Sequence, residues 1–268
     1  MKYIQLVMFY FFSLSAFADV EQFVRYQFQN EIKYGKLIGQ DVYPLDGELF
    51  DEFTVSEQKL NVKDVELLIP TEPEKVFAVG MNFASHLSSP SDAAPPLFLK
   101  LPSSLIVSGK TVNAPHDAKN LHFEGELVLV IGKEAKNISE AEAKEVIFGV
   151  SVGNDLTERS WQGRDLQWMR SKASDGFGPI AATITRGIDY NNVLLTTRLN
   201  GKVVQQENTR FMIHNTDKVV SYLSQYFTLK PGDLIFMGTP GRTQALKDKD
   251  IVSVTIDGVG EVESTISW

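Results

Sequence analysis

The chain of 268 residues contains no cysteine. This absence excludes disulfide bonds, thiolate-ligated zinc, a cysteine nucleophile and a lipid anchor on an amino-terminal cysteine. Histidine is also scarce, because the chain has only four, and a metal site built from several imidazoles is therefore not expected. Carboxylates are the metal ligands that remain in quantity, since the chain has 34 aspartate and glutamate residues.

The chain also lacks an excess of positive charge. Its formal net charge is −8, and it has no basic cluster interleaved with aromatic residues. These features argue against nucleic acid or an anionic membrane surface as the main partner. The hydrophobic content of 43 % is that of an ordinary globular protein. The length predicts one large domain, or one large and one small domain.

The amino terminus has the features of a secretory signal peptide. Lys2 precedes a short apolar run, and Ala16-Phe-Ala18 has the small-x-small pattern of a cleavage site. The run is too short to span a bilayer stably. We therefore expect residues 1–18 to be removed after Ala18 and the mature chain to be exported, most simply to a bacterial periplasm. The alternative is that this segment is a buried first strand of a cytoplasmic protein.

The next segment, residues 19–72, predicts a small amino-terminal β subdomain. It consists of short strand-like runs separated by turn signals such as Asp46-Gly47, and it ends at Pro70-Thr-Glu-Pro73. Residues 73–268 are expected to form the larger domain. Near its start, Lys75-Val-Phe-Ala-Val-Gly80 predicts a short buried strand.

Two helices and several strands are predicted in the larger domain. Ser139-Glu-Ala-Glu142 is a capping box, which predicts a helix over residues 140–146. Apolar residues at helical spacing predict a second helix over residues 217–226. Asn200-Gly201 and Asp257-Gly258 favour the tight turns of hairpins, and a strand is expected over residues 234–237.

The order of these elements predicts a β-rich α+β fold. Strands and helices do not alternate as in a doubly wound sheet, and the chain has no glycine-rich nucleotide-binding loop.

Three acids are the first candidates for a functional site. Glu124 and Glu126 are two residues apart, so on a strand they project to one face, roughly 7 Å apart. The apolar run 127–131 after them is typical of a strand covered on both faces. The helix at 140–146 lets the chain return and bring Asp155 towards them. If these acids are buried they require a nearby cation, so one interpretation of the pattern is a site for Mg²⁺, Mn²⁺ or Ca²⁺. The alternative is a half-exposed strand with solvated acids.

Several segments, taken in order, resemble the fumarylacetoacetate hydrolase family, and the resemblance runs from about residue 74 to the end. They are Val79-Gly-Met-Asn-Phe-Ala-Ser-His86, Phe98-Leu-Lys100, His122-Phe-Glu-Gly-Glu126, Asn154-Asp-Leu-Thr-Glu-Arg-Ser-Trp-Gln162, Lys172 with Phe177-Gly-Pro179, Leu199-Asn-Gly-Lys-Val-Val-Gln205, Lys230-Pro-Gly-Asp233 and Gly238-Thr-Pro240. The resemblance implies a mixed β-roll core with a few short helices, and a homodimer. It also implies a site for Mg²⁺ or Mn²⁺ held by Glu124, Glu126 and Asp155.

The same resemblance suggests roles for four polar residues. Lys172 matches the family's active-site lysine; the alternative is a solvated surface lysine. Arg159 and Gln162 are expected to orient substrate and metal ligands; the alternative is that both support the fold. Thr239 resembles a contact to the substrate carboxylate, with a simple tight turn as the alternative.

His86 is the candidate acid or base, since an imidazole moves protons near neutral pH. In the family's hydrolases and decarboxylases, this histidine pairs with a glutamate three residues later on a short lid helix. In this chain that position is Ser89, followed by Pro90, so the pair is broken and activation of a hydrolytic water is not expected from it. Asp92 is a possible substitute, and an ordinary loop histidine is the alternative for His86. His116, His122 and His214 are interpreted as structural, with His122 close enough to the acids to support a metal ligand.

The resemblance implies an enzyme that uses a divalent cation to act on small 2-oxo or enol acids or diacids through an enolate. Carbon–carbon hydrolysis, decarboxylation and keto–enol or double-bond isomerisation all remain open, and the broken pair weighs most against hydrolysis. A second hypothesis is an exported protein that binds metal and oxo acids without turnover. A third is a purely structural β-rich domain with solvated acids.

Overall fold

A computed structural model describes residues 20–87 and 93–268. The predicted signal peptide therefore lies outside the described residues, as do Ser89, Pro90 and Asp92. No helix within the described ranges is both long and apolar enough to cross a membrane.

The described residues form many short strands and few helices. The strands are β1 (Glu21–Phe28), β2 (Glu31–Ile38), β3 (Asp41–Gly47), β4 (Phe53–Val55), β5 (Leu60–Asn61), β6 (Glu66–Leu67), β7 (Val76–Val79), β8 (Leu97–Lys100), β9 (Leu105–Val107), β10 (Thr111–Asn113), β11 (Leu121–His122), β12 (Gly125–Ile131), β13 (Ile147–Asn154), β14 (Thr157–Glu158), β15 (Gly178–Ile180), β16 (Thr183–Arg186), β17 (Leu194–Leu199), β18 (Lys202–Asn208), β19 (Leu234–Phe236), β20 (Ile251–Ile256) and β21 (Gly260–Ser267). The α-helices are α1 (Glu140–Val146), α2 (Arg159–Gln162), α3 (Met169–Ala173) and α4 (Thr216–Tyr226). Single-turn 3-10 helices lie at Val62–Asp64, Ala84–His86, Pro102–Ser104 and Thr209–Phe211.

Two sheets organise the molecule. The larger is mixed, with the main strand order β4-β3-β2-β1-β16-β13-β12-β19-β7-β8, and the smaller has the order β10-β21-β20-β17-β18. Most neighbouring strands are antiparallel, whereas β19 runs parallel to β7 and β10 parallel to β21. The predicted β-rich α+β fold is confirmed.

Strand β12 is the centre of the core, as its apolar sequence predicts. All seven of its residues are buried. Leu127, Leu129 and Ile131 pack towards the small sheet and α4, while Val128 and Val130 pack towards the opposite layer of the large sheet. Burial on both faces explains why the strand does not alternate apolar and polar residues.

The predicted helices and hairpins are also confirmed. Helix α1 begins at its capping box, where Ser139 and Glu142 bond reciprocally, and α4 buries Val219, Val220 and Leu223. The turn between β17 and β18 has Asn200 at φ 49° and Gly201 at φ 78°. These left-handed values are the reason why an Asn-Gly pair suits this hairpin.

The amino-terminal strands form as predicted, but they extend the large sheet. Strand β1 pairs with β16 over Glu21 to Val24, and Phe23 packs against Phe53 and Phe148. This part therefore shares sheet and core with the rest of the chain. The division at residue 72 stays a prediction.

Candidate active site

The register of two antiparallel strands brings the three acids together. Gly125 of β12 pairs with Asn154 of β13, so Glu124 lies opposite Asp155, and the Asp155 N–H donates to the Glu124 carbonyl at 2.8 Å. One carboxylate oxygen from each of Glu124, Glu126 and Asp155 lies within 4.8 Å of the others. The predicted convergence of the three acids is confirmed.

Glycine between the two glutamates has a packing reason. A Cβ at Gly125 would lie 2.2 Å from Thr197 Oγ1 and 2.9 Å from a methyl group of Val254. The small sheet therefore presses against one face of this strand, and the two glutamates occupy the other face. Close approach of this kind admits no side chain.

The acids are buried, which excludes both interpretations with solvated carboxylates. Glu124 is 4 % exposed, Glu126 1 % and Asp155 0 %. Glu126 accepts a hydrogen bond from the Gly238 N–H at 2.7 Å, but no lysine or arginine of the described residues forms an ion pair with it. Such a carboxylate is costly to bury, and the all-oxygen donor set fits Mg²⁺, Mn²⁺ or Ca²⁺.

The other two acids are paired with basic groups. The Lys172 ammonium lies 2.5 Å from carboxylate oxygens of both Glu124 and Asp155, and Arg159 also donates to Glu124. Burial alone would raise the pKa of Glu124, but Lys172 and Arg159 hold that pKa well below its usual range. Lys172 is only 3 % exposed, so its interpretation as a solvated surface lysine is wrong.

The pKa of Glu126 is shifted in the opposite direction from that of Glu124. Burial, and next the negative charges of Asp155 and Glu124, raise the pKa of Glu126 well above its ordinary value. The same strand thus carries one strongly acidic and one weakly acidic glutamate. The difference follows from which of the two has a basic partner.

Lys100 is a residue of the site to which the sequence assigned no role. It lies at the end of β8, is 1 % exposed, and donates to Asp155 Oδ1 at 2.7 Å, to the Phe177 carbonyl at 3.1 Å and to the Lys172 carbonyl. Burial lowers the pKa of its ammonium. These three hydrogen bonds hold the Asp155 carboxylate in place and connect it to backbone carbonyls in and just after α3.

Arg159 and Gln162 lie at the two ends of the single turn α2 and contact each other. Arg159 Nη1 donates to Gln162 Oε1 at 2.8 Å, and its Nη2 donates to Thr243 Oγ1 at 3.2 Å. Thr243 is in turn 2.8 Å from His122 Nδ1. His122 therefore supports Arg159 through a hydroxyl group, and burial, followed by the charge of Arg159, lowers the pKa of its ring.

The turn that carries Thr239 is held from both sides. Gly238 has φ 91°, and a Cβ there would lie 2.7 Å from the Asn82 side chain, so glycine is required. Thr239 Oγ1 accepts from Gln205 Nε2 at 2.9 Å, and Gln205 Oε1 accepts from the Gly125 N–H at 3.3 Å. Gln205, which the sequence left without a role, therefore joins the threonine turn to the acidic strand.

His86 faces the acids from the 3-10 helix after β7. Its Nδ1 lies 2.6 Å from the Gly241 carbonyl, which only accepts hydrogen bonds, so Nδ1 carries a proton. The other nitrogen, Nε2, lies 4.0 Å from Glu124 Oε1 and is left free to accept a proton. A backbone carbonyl thus orients the ring, whereas the family resemblance assigns the partner of this histidine to a glutamate that is replaced by Ser89 in this chain.

One cavity of about 300 Å³ joins these groups. All eight residues predicted to form the site line it; they are His86, Glu124, Glu126, Asp155, Arg159, Gln162, Lys172 and Thr239. Residues without a predicted role complete the lining, and they are Val79, Gly80, Met81, Leu87, Phe98 and Trp168. Its volume suits a small organic acid.

Comparison with known protein families identifies the chain. A model described as fumarylacetoacetate (FAA) hydrolase C-terminal matches residues 75–267, which is well over half of the sequence. The chain belongs to the fumarylacetoacetate hydrolase family. A second model, described as Rv2993c-like, N-terminal, matches residues 22–70.

Related proteins of known activity are enzymes. The mitochondrial oxaloacetate tautomerase fahd2 of Xenopus laevis is 32% identical over 77% of this chain and 70% of its own. The bifunctional isomerase/decarboxylase of 4-hydroxyphenylacetate degradation from Escherichia coli is 34% identical over 86% of this chain, which spans 54% of that protein.

Solved structures agree with these relatives. The crystal structure of 5-carboxymethyl-2-hydroxymuconate delta-isomerase from Mycobacterium smegmatis superposes with a TM-score of 0.87 at 33% identity, over 92% of this chain and 99% of that one. The protein is therefore an enzyme of a family whose members act on small oxo acids as isomerases, tautomerases or hydrolases. The hypothesis of a binding protein without turnover gains no support from these comparisons.

Proposed function

We propose that the protein is a divalent-cation-dependent tautomerase or isomerase of small 2-oxo or enol acids. The observation that carries the proposal is Glu126, a buried carboxylate with no basic partner among the described residues, beside two further carboxylates. The activities named for the frog tautomerase and the mycobacterial isomerase support the reaction class.

Glu124, Glu126 and Asp155 would hold Mg²⁺ or Mn²⁺, with Ca²⁺ as a further candidate for the same oxygen donors. When bound, the cation supplies Lewis-acid stabilisation of negative charge on a substrate oxygen. Lys172 and Arg159 bring positive charge to the same end of the cavity, where a substrate carboxylate is accommodated. The Thr239 hydroxyl and Gln162 amide are available to orient that carboxylate.

His86 is the proposed proton carrier. With Nδ1–H bonded to the Gly241 carbonyl, Nε2 takes a proton from the carbon beside the oxo group and then delivers that proton to the oxo oxygen, giving the enol and the original neutral imidazole. The reverse sequence gives the oxo acid. No water has to be activated in either direction, which is why this reaction is favoured over hydrolysis in a chain with Ser89 at the usual lid position.

The test is an activity profile with matched substrates. Tautomerisation of phenylpyruvate and of oxaloacetate, decarboxylation of oxaloacetate, and hydrolysis of an acylpyruvate are measured in Mg²⁺ or Mn²⁺ and after chelation. We expect cation-dependent tautomerisation that falls by at least about 100-fold in Glu126→Gln, with Glu145→Gln, an exposed residue of α1, as the control. Turnover that persists after chelation overturns the proposal, as does cation-dependent hydrolysis without tautomerisation.

We further propose that the protein is a homodimer, as the family resemblance implies. A groove of about 260 Å³ is lined by apolar side chains that include Leu99, Leu101, Met169 and Phe227. Leu99 is 54 % exposed and Met169 59 %, which is unusual for neighbouring large apolar residues. A second copy of the chain is the proposed occupant. Light scattering tests this, with Leu99→Asp expected to give a monomer and a wild-type monomer contradicting the proposal.

Export to a periplasm is proposed from the signal-peptide pattern of residues 1–18. Amino-terminal sequencing of the protein from its native host should find Asp19 as the first residue. Retention of Met1 would contradict this.

A further inference from the structure

The cavity has two chemically different ends. Its charged end consists of the three acids together with Lys172, Arg159 and the polar groups around them. The remaining lining residues, which we call the apolar wall, are Val79, Gly80, Met81, Leu87, Phe98 and Trp168. A small acid that binds by its carboxylate and oxo group at the charged end must direct the rest of its structure towards this wall.

The apolar wall adjoins the charged end at Phe98, which contacts Lys172. The Lys172 ammonium lies 4.8 Å from the centre of the Phe98 ring, and the Trp168 indole packs edge-on against the same ring at 5.6 Å. Gly80 lies beside both, since a Cβ built there would be 3.6 Å from Trp168 and 3.8 Å from Phe98. Phe98 and Trp168 therefore form one continuous aromatic surface next to Lys172, with Gly80 beside both rings.

No lysine or arginine belongs to the wall, and His86, the other basic residue of the lining, has its Nε2 4.0 Å from Glu124 Oε1 at the charged end. The lysine and arginine residues that line the cavity are Lys172 and Arg159, and both already pair with acids. The sequence between Lys75 and Lys100 contains neither lysine nor arginine. That segment includes residues 88–92, so they supply no cation to the wall wherever they lie. A second carboxylate directed at the wall would lose its hydration without gaining a basic partner.

Two wall residues have an unusual backbone conformation. Met81 has φ 53° and Trp168 has φ 56°, in the left-handed region where bulky side chains are rare. The other non-glycine residues of positive φ in the described ranges are polar residues, namely Gln29, Asn30, Asn137, Asn200 and Lys249. Strain of this kind concentrates at functional sites, and here it sets two large apolar side chains on the cavity lining.

We propose that the substrate is a 2-oxo or enol monoacid whose far end is an uncharged alkyl or aryl group, and that Trp168 determines this specificity. The inference rests on the proposed function and narrows it, because the wall accepts an apolar tail and disfavours a diacid. Trp168 provides the face against which the tail packs, and Phe98 continues that face to the charged end.

The test compares two six-carbon ligands that differ only at the far end, and it adds one ligand with an aryl tail. Binding of 2-oxohexanoate, 2-oxoadipate and phenylpyruvate to the Mn²⁺-loaded protein is measured by calorimetry at about 0.15 M salt, where long-range attraction of the dianion is screened. Oxalate, which reaches only the charged end, is the reference ligand. We expect 2-oxohexanoate and phenylpyruvate to bind at least about tenfold more tightly than 2-oxoadipate.

A variant reverses the expected preference. Trp168→Arg places a cation on the wall and should favour 2-oxoadipate over 2-oxohexanoate. Leu166→Arg adds the same charge two residues away, at an exposed position that lines neither this cavity nor the groove proposed for the dimer, and should keep the wild-type preference. The wild-type comparison decides the matter even if the Trp168 variant does not fold.

The outcomes separate the two proposals. Oxalate binding together with equal or tighter binding of 2-oxoadipate overturns the monoacid inference and leaves the proposed function standing. Failure of every ligand, oxalate included, to bind the metal-loaded protein overturns the proposed function and this inference with it.

Discussion

The two ends of the cavity differ in how their side chains are held. At the charged end, Glu124, Asp155, Lys100 and Lys172 are buried and each forms at least two polar contacts. The apolar wall is held by ring packing and by a strained backbone, and Met81 is 47 % exposed. The charged end is therefore rigid in position and charge, while the wall can vary in shape at small cost.

The two kinds of contact assign different properties of the enzyme to the two parts of the cavity. Polar networks in a buried site are costly to disturb, because a lost partner leaves another charge without compensation. Apolar contacts tolerate exchange as long as volume and polarity are kept. Chemistry is therefore expected to depend on the charged end and substrate choice on the wall.

The largest effect should come from Asp155. Asp155→Asn removes the charge that pairs with two buried ammonium groups, Lys100 and Lys172, and should lower the free energy of unfolding by about 3–5 kcal/mol. Urea denaturation of the metal-free protein measures this. Glu126→Gln is the matched control, since no basic partner loses its charge, and it should not destabilise the metal-free protein. Equal losses in both variants would contradict the pairing described for this end.

Lys100→Met tests the second buried lysine that holds Asp155. Its ammonium donates to three acceptors in a buried region, where water does not reach to replace the lost hydrogen bonds. The free energy of unfolding is therefore expected to fall by about 2–4 kcal/mol. Lys110→Met, which removes an exposed lysine with a single 3.8 Å ion pair to Glu66, should leave the denaturation midpoint unchanged. A stable Lys100→Met protein would show that this lysine does not hold Asp155.

The opposite pKa shifts of Glu124 and Glu126 predict how the stability of the folded protein depends on pH. The raised pKa of Glu126 means that the folded metal-free protein retains a proton that the unfolded chain releases above 4.5. Stability therefore falls as the pH rises through the folded pKa of Glu126. The lowered pKa of Glu124 acts in a separate window, because its contribution is lost as the pH falls below 4.5.

Mg²⁺ should offset the effect of Glu126, since the cation binds the ionised carboxylate. Its stabilisation should increase with pH and reach about 2.7 kcal/mol at a hundredfold excess over the dissociation constant. Thermal unfolding with and without MgCl₂ across the pH range measures this. In Glu126→Gln the increase with pH should be much smaller. A magnesium effect independent of pH in the wild-type protein would contradict the assignment.

The smallest effect is expected at the wall. Met81→Gly relieves the left-handed backbone at φ 53° and should stabilise the protein by about 0.5 kcal/mol, the net of relieved strain and added freedom of the unfolded chain. Met81→Ala keeps the strain and should give no such gain. Both should bind apolar-tailed ligands more weakly. If alanine stabilises as much as glycine, backbone strain is not a property of this position.

Much of the charged end was predictable because its signals are local. Glu-x-Glu next to an apolar run, a capping box before the returning strand and an aspartate at its end are patterns that short sequences determine. The prediction that Glu124, Glu126 and Asp155 converge is confirmed, and so are helices α1 and α4 and both hairpins. The alternative interpretations, in which the acids and Lys172 are exposed to solvent, were wrong. The hydrophobicity of neighbouring residues in the sequence does not indicate whether a polar side chain is buried.

The rest required contacts between distant parts of the chain. Lys100 and Asp155 are 55 residues apart in sequence, and nothing near Lys100 indicates a buried ammonium apart from the apolar residues of its strand. Gly241, which orients His86, is 155 residues from it. The sequence assigned no role to Trp168, because nothing in the neighbouring residues predicts the left-handed backbone conformation of this tryptophan.

The type of chemistry follows from the amino-acid sequence alone, which has oxygen ligands and no cysteine on a β-rich fold of the fumarylacetoacetate hydrolase family. The charge state of the acids and the shape of the site depend on the folded structure. Which glutamate is ionised depends on the basic groups that packing brings to it, and what the substrate's far end meets depends on how Phe98 and Trp168 lie together. Both are properties of distances between residues remote in sequence, and pKa values and pocket shape follow from those distances.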